Sequence, residues 1–125
     1  MFVELQGTAR LDKRTKRLVK RLGPDDIAIV DHADLDRVSA EELLESGVRV
    51  VVNVAPSVTG RFPNPGPLQL VRGGVTLIDV AENGLFGDVR EGESLVVRGS
   101  SLYRNGTRLA AGRELTTQVL ERNLE

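Results

Sequence analysis

Residues 48–67, VRVVVNVAPSVTGRFPNPGP, decide the fold prediction. The near-continuous valines of residues 48–54 predict a strand that is covered on both faces, as in a sheet flanked by helices or by a second sheet. Residues 55–67 hold four prolines and two glycines, which exclude regular structure and predict a stiff loop. Pro67 suits the first position of a short helix that continues through Val71.

The segments on either side of this stretch alternate between helical and extended patterns. We expect helices over residues 11–22, 39–46 and 113–125, and strands over 27–30, 75–79, 94–98, 101–104 and 107–109. Ser39 and Glu42 form a capping box, and Asn105-Gly106 is the dipeptide preferred in a type I′ hairpin turn. One β-α-β crossover followed by antiparallel hairpins predicts an α/β fold with a mixed layer, flanked by N- and C-terminal helices.

These elements divide the chain into three parts. Residues 1–22 are a basic N-terminal arm and helix, residues 23–112 an α/β core domain, and residues 113–125 a C-terminal helix. That last helix reaches Glu125 without a cap, so we expect it to link to a further domain. The two terminal helices also offer a route to homo-oligomerisation.

The composition removes several classes of chemistry. The 125 residues contain no cysteine, no tryptophan and a single histidine, which excludes thiol nucleophiles and thiolate metal sites. We therefore expect no metal, no cofactor and no self-contained hydrolytic centre. The first residues carry Glu4 and lack a basic segment followed by a long apolar one, so we expect no signal peptide and a cytoplasmic location.

Basic residues are concentrated at the N-terminus. Residues 1–22 hold seven Lys or Arg against two acidic residues, whereas the rest of the chain is acidic. The candidate electrostatic contacts are Lys13, Arg14, Lys16, Arg17, Lys20 and Arg21. Two interpretations stay open: a solvated helix that packs by its leucines, or docking on an acidic partner or a membrane surface. Only four aromatic residues argue against nucleic acid.

The stiff loop carries polar groups at the carboxyl end of a buried strand, where open α/β sheets place their ligands. Its glycines would let backbone N–H groups approach an anion, and its arginine could grip a phosphate. We therefore expect a phosphate-bearing small molecule there, although a purely structural crossover explains the loop as well. The candidate ligand-binding residues are Asn53, Ser57, Thr59, Gly60, Arg61, Asn64, Gly66 and Asp79.

An enzyme at the same crevice is the alternative function. It would act on a phosphorylated or nucleotide substrate and would need a general base from His32, Asp79 or the acidic run 31–36. The acidic run is better explained as an ordinary solvated loop. We assign no catalytic residue and expect this domain to be non-catalytic.

The loop and the segments near it resemble a known protein family. The block SVTGRFPNPGP at 57–67, with GTAR at 7–10, DLDR at 34–37 and GVTLID at 74–79, resembles the N-terminal region of SteA-like proteins. The resemblance implies a bacterial protein of the cytokinetic ring that functions in daughter-cell separation with a division-associated membrane protein. The family also carries a thiamine pyrophosphokinase-like domain and a membrane-spanning segment, which would place the protein at the septal membrane. Neither falls within these residues, so kinase-like activity is not carried over.

The order of elements also resembles the swivelling β/β/α domain of phosphoenolpyruvate-utilising enzymes. In those enzymes a histidine in the corresponding loop carries the phosphoryl group. Residues 55–67 contain no histidine. The resemblance therefore implies the fold and a binding crevice, without phosphohistidine chemistry.

Overall fold

A computed structural model describes residues 4–81 and 84–124. The described strands are β1 Glu4–Leu11, β2 Asp26–Val30, β3 Val50–Asn53, β4 Thr76–Val80, β5 Ser94–Arg98, β6 Ser101–Arg104 and β7 Thr107–Glu114. The described helices are α1 Thr15–Leu18, α2 Arg37–Ser46, α3 Gly66–Arg72, α4 Leu85–Asp88 and α5 Thr117–Asn123, with a 3-10 turn at Val19–Arg21. The prediction of a mixed α/β fold is confirmed. Within these ranges, every helix is too short or too polar to cross a bilayer.

The strands form a closed barrel in the order β1-β2-β3-β4-β7-β6-β5, where the sequence predicts a mixed layer. Strands β1 to β4 are mutually parallel neighbours, whereas β5, β6 and β7 pair antiparallel. The two halves are joined by antiparallel pairing of β1 with β5 and of β4 with β7. Closure leaves the sheet without free edges.

The valine strand β3 is covered on both faces, as its sequence predicts. Val50 and Val52 lie in the apolar core inside the barrel, together with Ile78 and Leu102. Val51 points to a second core, between the parallel strands and helices α1, α2, α3 and α5. The antiparallel strands therefore lie across the barrel core from the parallel strands, and the helices cover the outer face of the parallel strands.

The N-terminal segment differs from the prediction. Residues 4–11 are a barrel strand instead of a basic arm, and the helix expected over 11–22 is reduced to α1 and the 3-10 turn. Leu5, Ala9 and Leu11 alternate into the barrel core. Gly7 completes this alternation, because a Cβ there would lie 2.9 Å from both Asp25 O and Ile27 Cγ1. Residues 1–3 of the expected arm lie outside the described residues.

The start of α2 is also corrected. The helix begins at Arg37, and its cap is Asp36, whose Oδ1 accepts a hydrogen bond of 2.7 Å from Ser39 N. The predicted capping box at Ser39 and Glu42 is therefore wrong. Ser39 is buried within the first turn of the helix. Aspartate and serine are both preferred caps, and the side chain outside the first turn is the one that caps.

At the C-terminus the strand is longer and the helix shorter than predicted. Strand β7 continues to Glu114, because Gly112, Arg113 and Glu114 pair with β4. Helix α5 then begins at Thr117 instead of at residue 113, and its apolar side packs into the core through Leu120. Glu125 of the expected helix lies outside the described residues.

Acid titration tests the ion pair that joins β6 to the turn before β5. Glu93 accepts hydrogen bonds from Arg104 Nε (2.7 Å), Arg104 Nη2 (2.9 Å) and Arg90 N (2.8 Å). The Arg104 guanidinium, followed by the Arg90 amide, lowers the pKa of Glu93 from 4.5 to about 2. Because the folded pKa is the lower one, this stabilisation is complete above about pH 4.5 and is lost as the pH falls toward 2.

We predict that Glu93→Gln flattens the decline of the unfolding free energy between pH 4.5 and 2, as measured by urea denaturation. The control is Glu45→Gln, which removes an exposed carboxyl from α2 and should follow the wild-type curve. A Glu93→Gln curve parallel to wild type would contradict the assignment.

Candidate functional site

The polar residues that the sequence singles out converge at one end of the barrel, where the parallel strands finish. Strands β2, β3 and β4 are parallel, so their carboxyl ends meet there. Asn53 is the last residue of β3, Asp79 is next to last in β4, and residues 31–36 follow β2. Residues 55–67 leave β3 at the same place. We call this region the carboxyl edge.

Asn53 is fully buried and uses both ends of its amide. Its Oδ1 accepts hydrogen bonds from His32 N and Ala55 N, each 3.0 Å long. Its Nδ2 donates to His32 O and to Ser57 Oγ, each at 2.9 Å. Asn53 therefore ties the end of β2 to the start of the loop.

Ser57 continues this network to β4. Its Oγ donates to Asp79 Oδ1 at 2.6 Å, and its backbone N–H donates to Asp79 Oδ2 at 3.0 Å. Burial raises the pKa of Asp79, and the two Ser57 hydrogen bonds and the charge of Arg113 act in the opposite direction. Asn53, Ser57 and Asp79 form one network, the Asn53–Ser57–Asp79 network, which fixes the first part of the loop.

The middle of the loop is fastened to the segment after β2. Asp34 N donates to Pro56 O at 2.9 Å, and Leu35 N donates to Ser57 O at 3.0 Å. The Asp34 carboxylate in turn accepts from Thr59 N at 2.8 Å and from Thr59 Oγ1 at 2.7 Å. The two segments therefore run side by side and brace each other.

The end of the loop is held by Asn64 and Gly66. Asn64 is buried, and its Nδ2 donates to Leu35 O at 3.1 Å. Its Oδ1 accepts from Gly66 N at 3.1 Å, which occupies the first amide of α3. A Cβ on Gly66 would collide with Leu35 O and lie 2.7 Å from Asp36 C, so only glycine fits.

Residues 60–63, which we call the loop apex, form a continuous exposed run. Phe62 is 49% exposed, one of the two large apolar side chains most accessible in the described chain. Arg61 is exposed, and its guanidinium has no hydrogen-bond or ion-pair partner within residues 4–81 and 84–124. Gly60 has a φ of +82°, a left-handed conformation that favours glycine.

The eight candidate ligand-binding residues therefore separate into two groups. Asn53, Ser57, Asn64 and Gly66 are buried, and their polar groups are bonded within the protein. Asp79 is half-buried and Thr59 is exposed, yet both are engaged by hydrogen bonds at the carboxyl edge. Gly60 and Arg61 alone of this set have backbone or side-chain groups presented freely at the surface.

Two hollows lie beside the loop, and Asp79 and Arg113 line both of them. One, of about 340 Å³, is bounded by Val58 and by residues 115–123 around α5. The other, of about 360 Å³, is bounded by Val54, Pro56 and residues 80–81. Arg113 is absent from the predicted site, because the sequence predicts a helix from this residue onward. Its cross-strand pairing with Asp79 follows only from the longer β7.

His32 is used structurally. Its Nδ1 is hydrogen-bonded to Thr15 Oγ1 at 2.9 Å, and its Nε2 is 3.8 Å from Asp36 Oδ2. The imidazole therefore joins α1 to the cap of α2. The hydroxyl of Ser57 is buried and donates to Asp79. Ser57 and His32 therefore do not form a nucleophile and its general base.

Comparisons of the chain with protein-family models, curated proteins and solved structures find no match. The SteA-like and swivelling-domain resemblances gain no support from them, and both stay predictions. The geometry of the carboxyl edge is therefore the basis for any functional proposal.

Gly66 provides a test of how tightly the loop is packed. We predict that Gly66→Ala lowers the unfolding free energy by about 1–3 kcal/mol, because the new methyl group meets backbone atoms that cannot move aside. The matched control is Gly87→Ala in α4, where a Cβ meets nothing within 4 Å. That change should be neutral or stabilise by up to about 1 kcal/mol. Equal urea midpoints for the two variants would contradict the packing described.

Proposed function

We propose that this chain is a non-catalytic binding domain of a SteA-like bacterial cell-division protein, and that the loop apex contacts the partner. The observation that carries the proposal is that the loop contains two kinds of residue, those bonded within the protein and those left exposed. Its buried polar groups are bonded inward, whereas Arg61 and Phe62 are left exposed. The block of sequence that resembles SteA-like proteins is this same loop.

A braced loop suits recognition for an energetic reason. Binding costs about 0.5–1.5 kcal/mol for each flexible side chain that it immobilises, and more when a loop must be ordered. Here the segments on either side of the apex are already held, by Thr59 N and Oγ1 to the Asp34 carboxylate and by Asn64 Nδ2 to Leu35 O. Arginine and aromatic side chains, phenylalanine included, are enriched at protein interfaces. The apex displays one of each.

The layer order supports the finer assignment of the fold. Helices cover the parallel strands β1–β4, and the antiparallel strands β5–β7 lie on the other side of the barrel core. This is the sequence of layers in a swivelling β/β/α domain, and we propose that type of fold. A fold of this kind does not by itself specify a function.

The proposed partner is a division-associated membrane protein, as the family resemblance implies, at the cytoplasmic face of the septal membrane. Homo-oligomerisation through the terminal helices has less support. Helix α5 packs against α3 in the same chain, with Leu120 buried and Arg72 Nη2 2.8 Å from Glu121 Oε2. Its apolar residues are therefore already in contact with the core.

One observation favours the alternative, a phosphate- or nucleotide-related enzyme at the same crevice. Asp79 lines both hollows beside Arg113, and burial raises the pKa of its carboxyl, which is the candidate general base. Arg113 would bind a phosphate. In this alternative the hollows, rather than the apex, are the functional surface.

Complementation distinguishes the two. The full-length gene is expressed in a bacterium that lacks its own SteA-like protein, and cell separation is scored by microscopy. We predict that Arg61→Ala/Phe62→Ala accumulates normally and leaves cells joined in chains, because the partner contact is lost. The control, Thr107→Ala/Arg108→Ala, alters two exposed residues at the β6–β7 hairpin and should restore separation.

Full restoration by the apex variant would overturn the binding proposal. If Asp79→Asn or Arg113→Ala abolished separation while the apex variant restored it, the enzyme alternative would replace it.

A further inference from the structure

The basic residues of the N-terminal segment fall into two groups, and the first group is neutralised. Arg10 contacts Asp26 at 3.3 Å and Glu91 at 3.6 Å. Arg21 contacts Glu91 at 2.8 Å and Asp12 at 3.4 Å. Asp12 also lies 3.7 Å from Arg17. Three arginines are thus matched by three carboxylates.

The second group is free. Lys13, Arg14, Lys16 and Lys20 are exposed, and none has a carboxylate within 4.0 Å in residues 4–81 and 84–124. They include all three lysines of the chain. Lys13 Nζ lies 5.8 Å from the centroid of the Phe86 ring. We call these four residues the cationic patch.

The fold holds this patch in place. Thr15 and Leu18 of α1 are buried, and Thr15 is bonded to His32. Arg21 Nη2 donates to Leu11 O at 2.7 Å, which closes the segment back onto the end of β1. The hydrogen bond from Arg14 N, with the charges of Arg17 and Arg21, lowers the pKa of Asp12. Asp12 therefore stays ionised, and its contacts are with Arg17 and Arg21 of the neutralised group.

We propose that the cationic patch binds an anionic lipid surface. The reason is that the paired cations of this segment are arginines, whereas the unpaired ones are mostly lysines. Arginine suits contact with individual carboxylates through its fork of N–H donors. Arg21 holds Glu91 with Nε and Nη2, at 2.8 and 3.4 Å, and Arg10 and Arg17 each make single contacts with carboxylates of the protein. The freed charges are mostly lysines, which are hydrated point charges that need no shaped partner. A diffuse layer of lipid phosphates fits them better than the carboxylates of a folded protein.

The charge of the remaining chain favours a single orientation. The whole chain carries −1, so the residues outside the cationic patch carry −5. An anionic surface would attract the patch and repel the rest of the molecule. The patch also follows the carboxyl end of β1, which is parallel to β2, so it begins at the edge that carries the loop apex. The lipid proposal does not depend on the function of that apex.

The size of the expected effect follows from the number of charges. Each Lys or Arg near an anionic leaflet raises the partition coefficient roughly fivefold, and the effect weakens as salt screens it. Four such residues give an enhancement of roughly several hundredfold at low salt. A surface interaction of this kind is reversible.

Vesicle co-sedimentation tests the proposal with the full chain. The probe is vesicles of equal parts phosphatidylglycerol and phosphatidylcholine, compared with phosphatidylcholine alone. We predict binding to the anionic vesicles only, weakened by physiological salt. Lys13→Gln/Arg14→Gln/Lys16→Gln/Lys20→Gln should lose roughly several hundredfold in partition, and Lys16→Gln alone roughly fivefold.

The control removes the same charge elsewhere. Arg37→Gln/Arg90→Gln/Arg108→Gln/Arg122→Gln changes four exposed arginines and should keep most of the binding. Circular dichroism confirms that each variant is folded, and the single variant remains informative should the quadruple variant unfold. Vesicle binding is measured against the patch variant and cell separation against the apex variant, so that failure of one proposal is distinguishable from failure of the other.

Three results would overturn the proposal. They are equal loss in the control and patch variants, equal binding to neutral vesicles, and no binding to anionic vesicles at low salt. If poly-glutamate bound the patch while the vesicles did not, the surface would be a docking site for an acidic protein instead.

Discussion

The structure of the carboxyl edge depends on one buried amide. Asn53 ends a strand of valines and is shielded from water, so each of its polar atoms must find a partner within the protein. A buried group left unpaired costs about 1–3 kcal/mol. Its four hydrogen bonds join the end of β2, the start of the loop and, through Ser57, the carboxylate on β4. The course of the chain from β3 to α3 follows from satisfying this one side chain.

The same separation of roles recurs in two distant segments. At the carboxyl edge, Asn53, Ser57 and Asn64 are bonded inward, and Arg61 is left at the surface. In the N-terminal segment, arginines pair with Asp12, Asp26 and Glu91, and the lysines are left free. In both places the groups that the fold has already paired have structural roles. The unpaired ones are available to bind, which is why each functional proposal is built on them.

Local signals in the sequence were enough for part of the fold. The valine run, the hairpin turn at Asn105-Gly106 and Pro67 in the first turn of α3 each act over a few residues. These elements lie close to where they are predicted, although α3 begins one residue earlier, at Gly66. Strand β1 was missed because Gly7 hides its alternating pattern. The site residues Asn53, Ser57 and Asp79 were identified, but their bonding to one another was not. It joins residues up to 22 positions apart and depends on the register of β3 with β4. Arg113 was missed for the same reason, since only barrel closure brings β7 beside β4.

Hydrogen exchange of the backbone amides, followed by NMR, tests the central claim most directly. The amides of His32, Ala55 and Ser57 lie outside the strands, and each donates to a side chain of the Asn53–Ser57–Asp79 network. If that network holds the loop, these amides exchange roughly a thousandfold or more slowly than in an unfolded chain, and Gly60 at the apex exchanges rapidly. Rapid exchange at all four positions would show that the buried amide does not organise the loop.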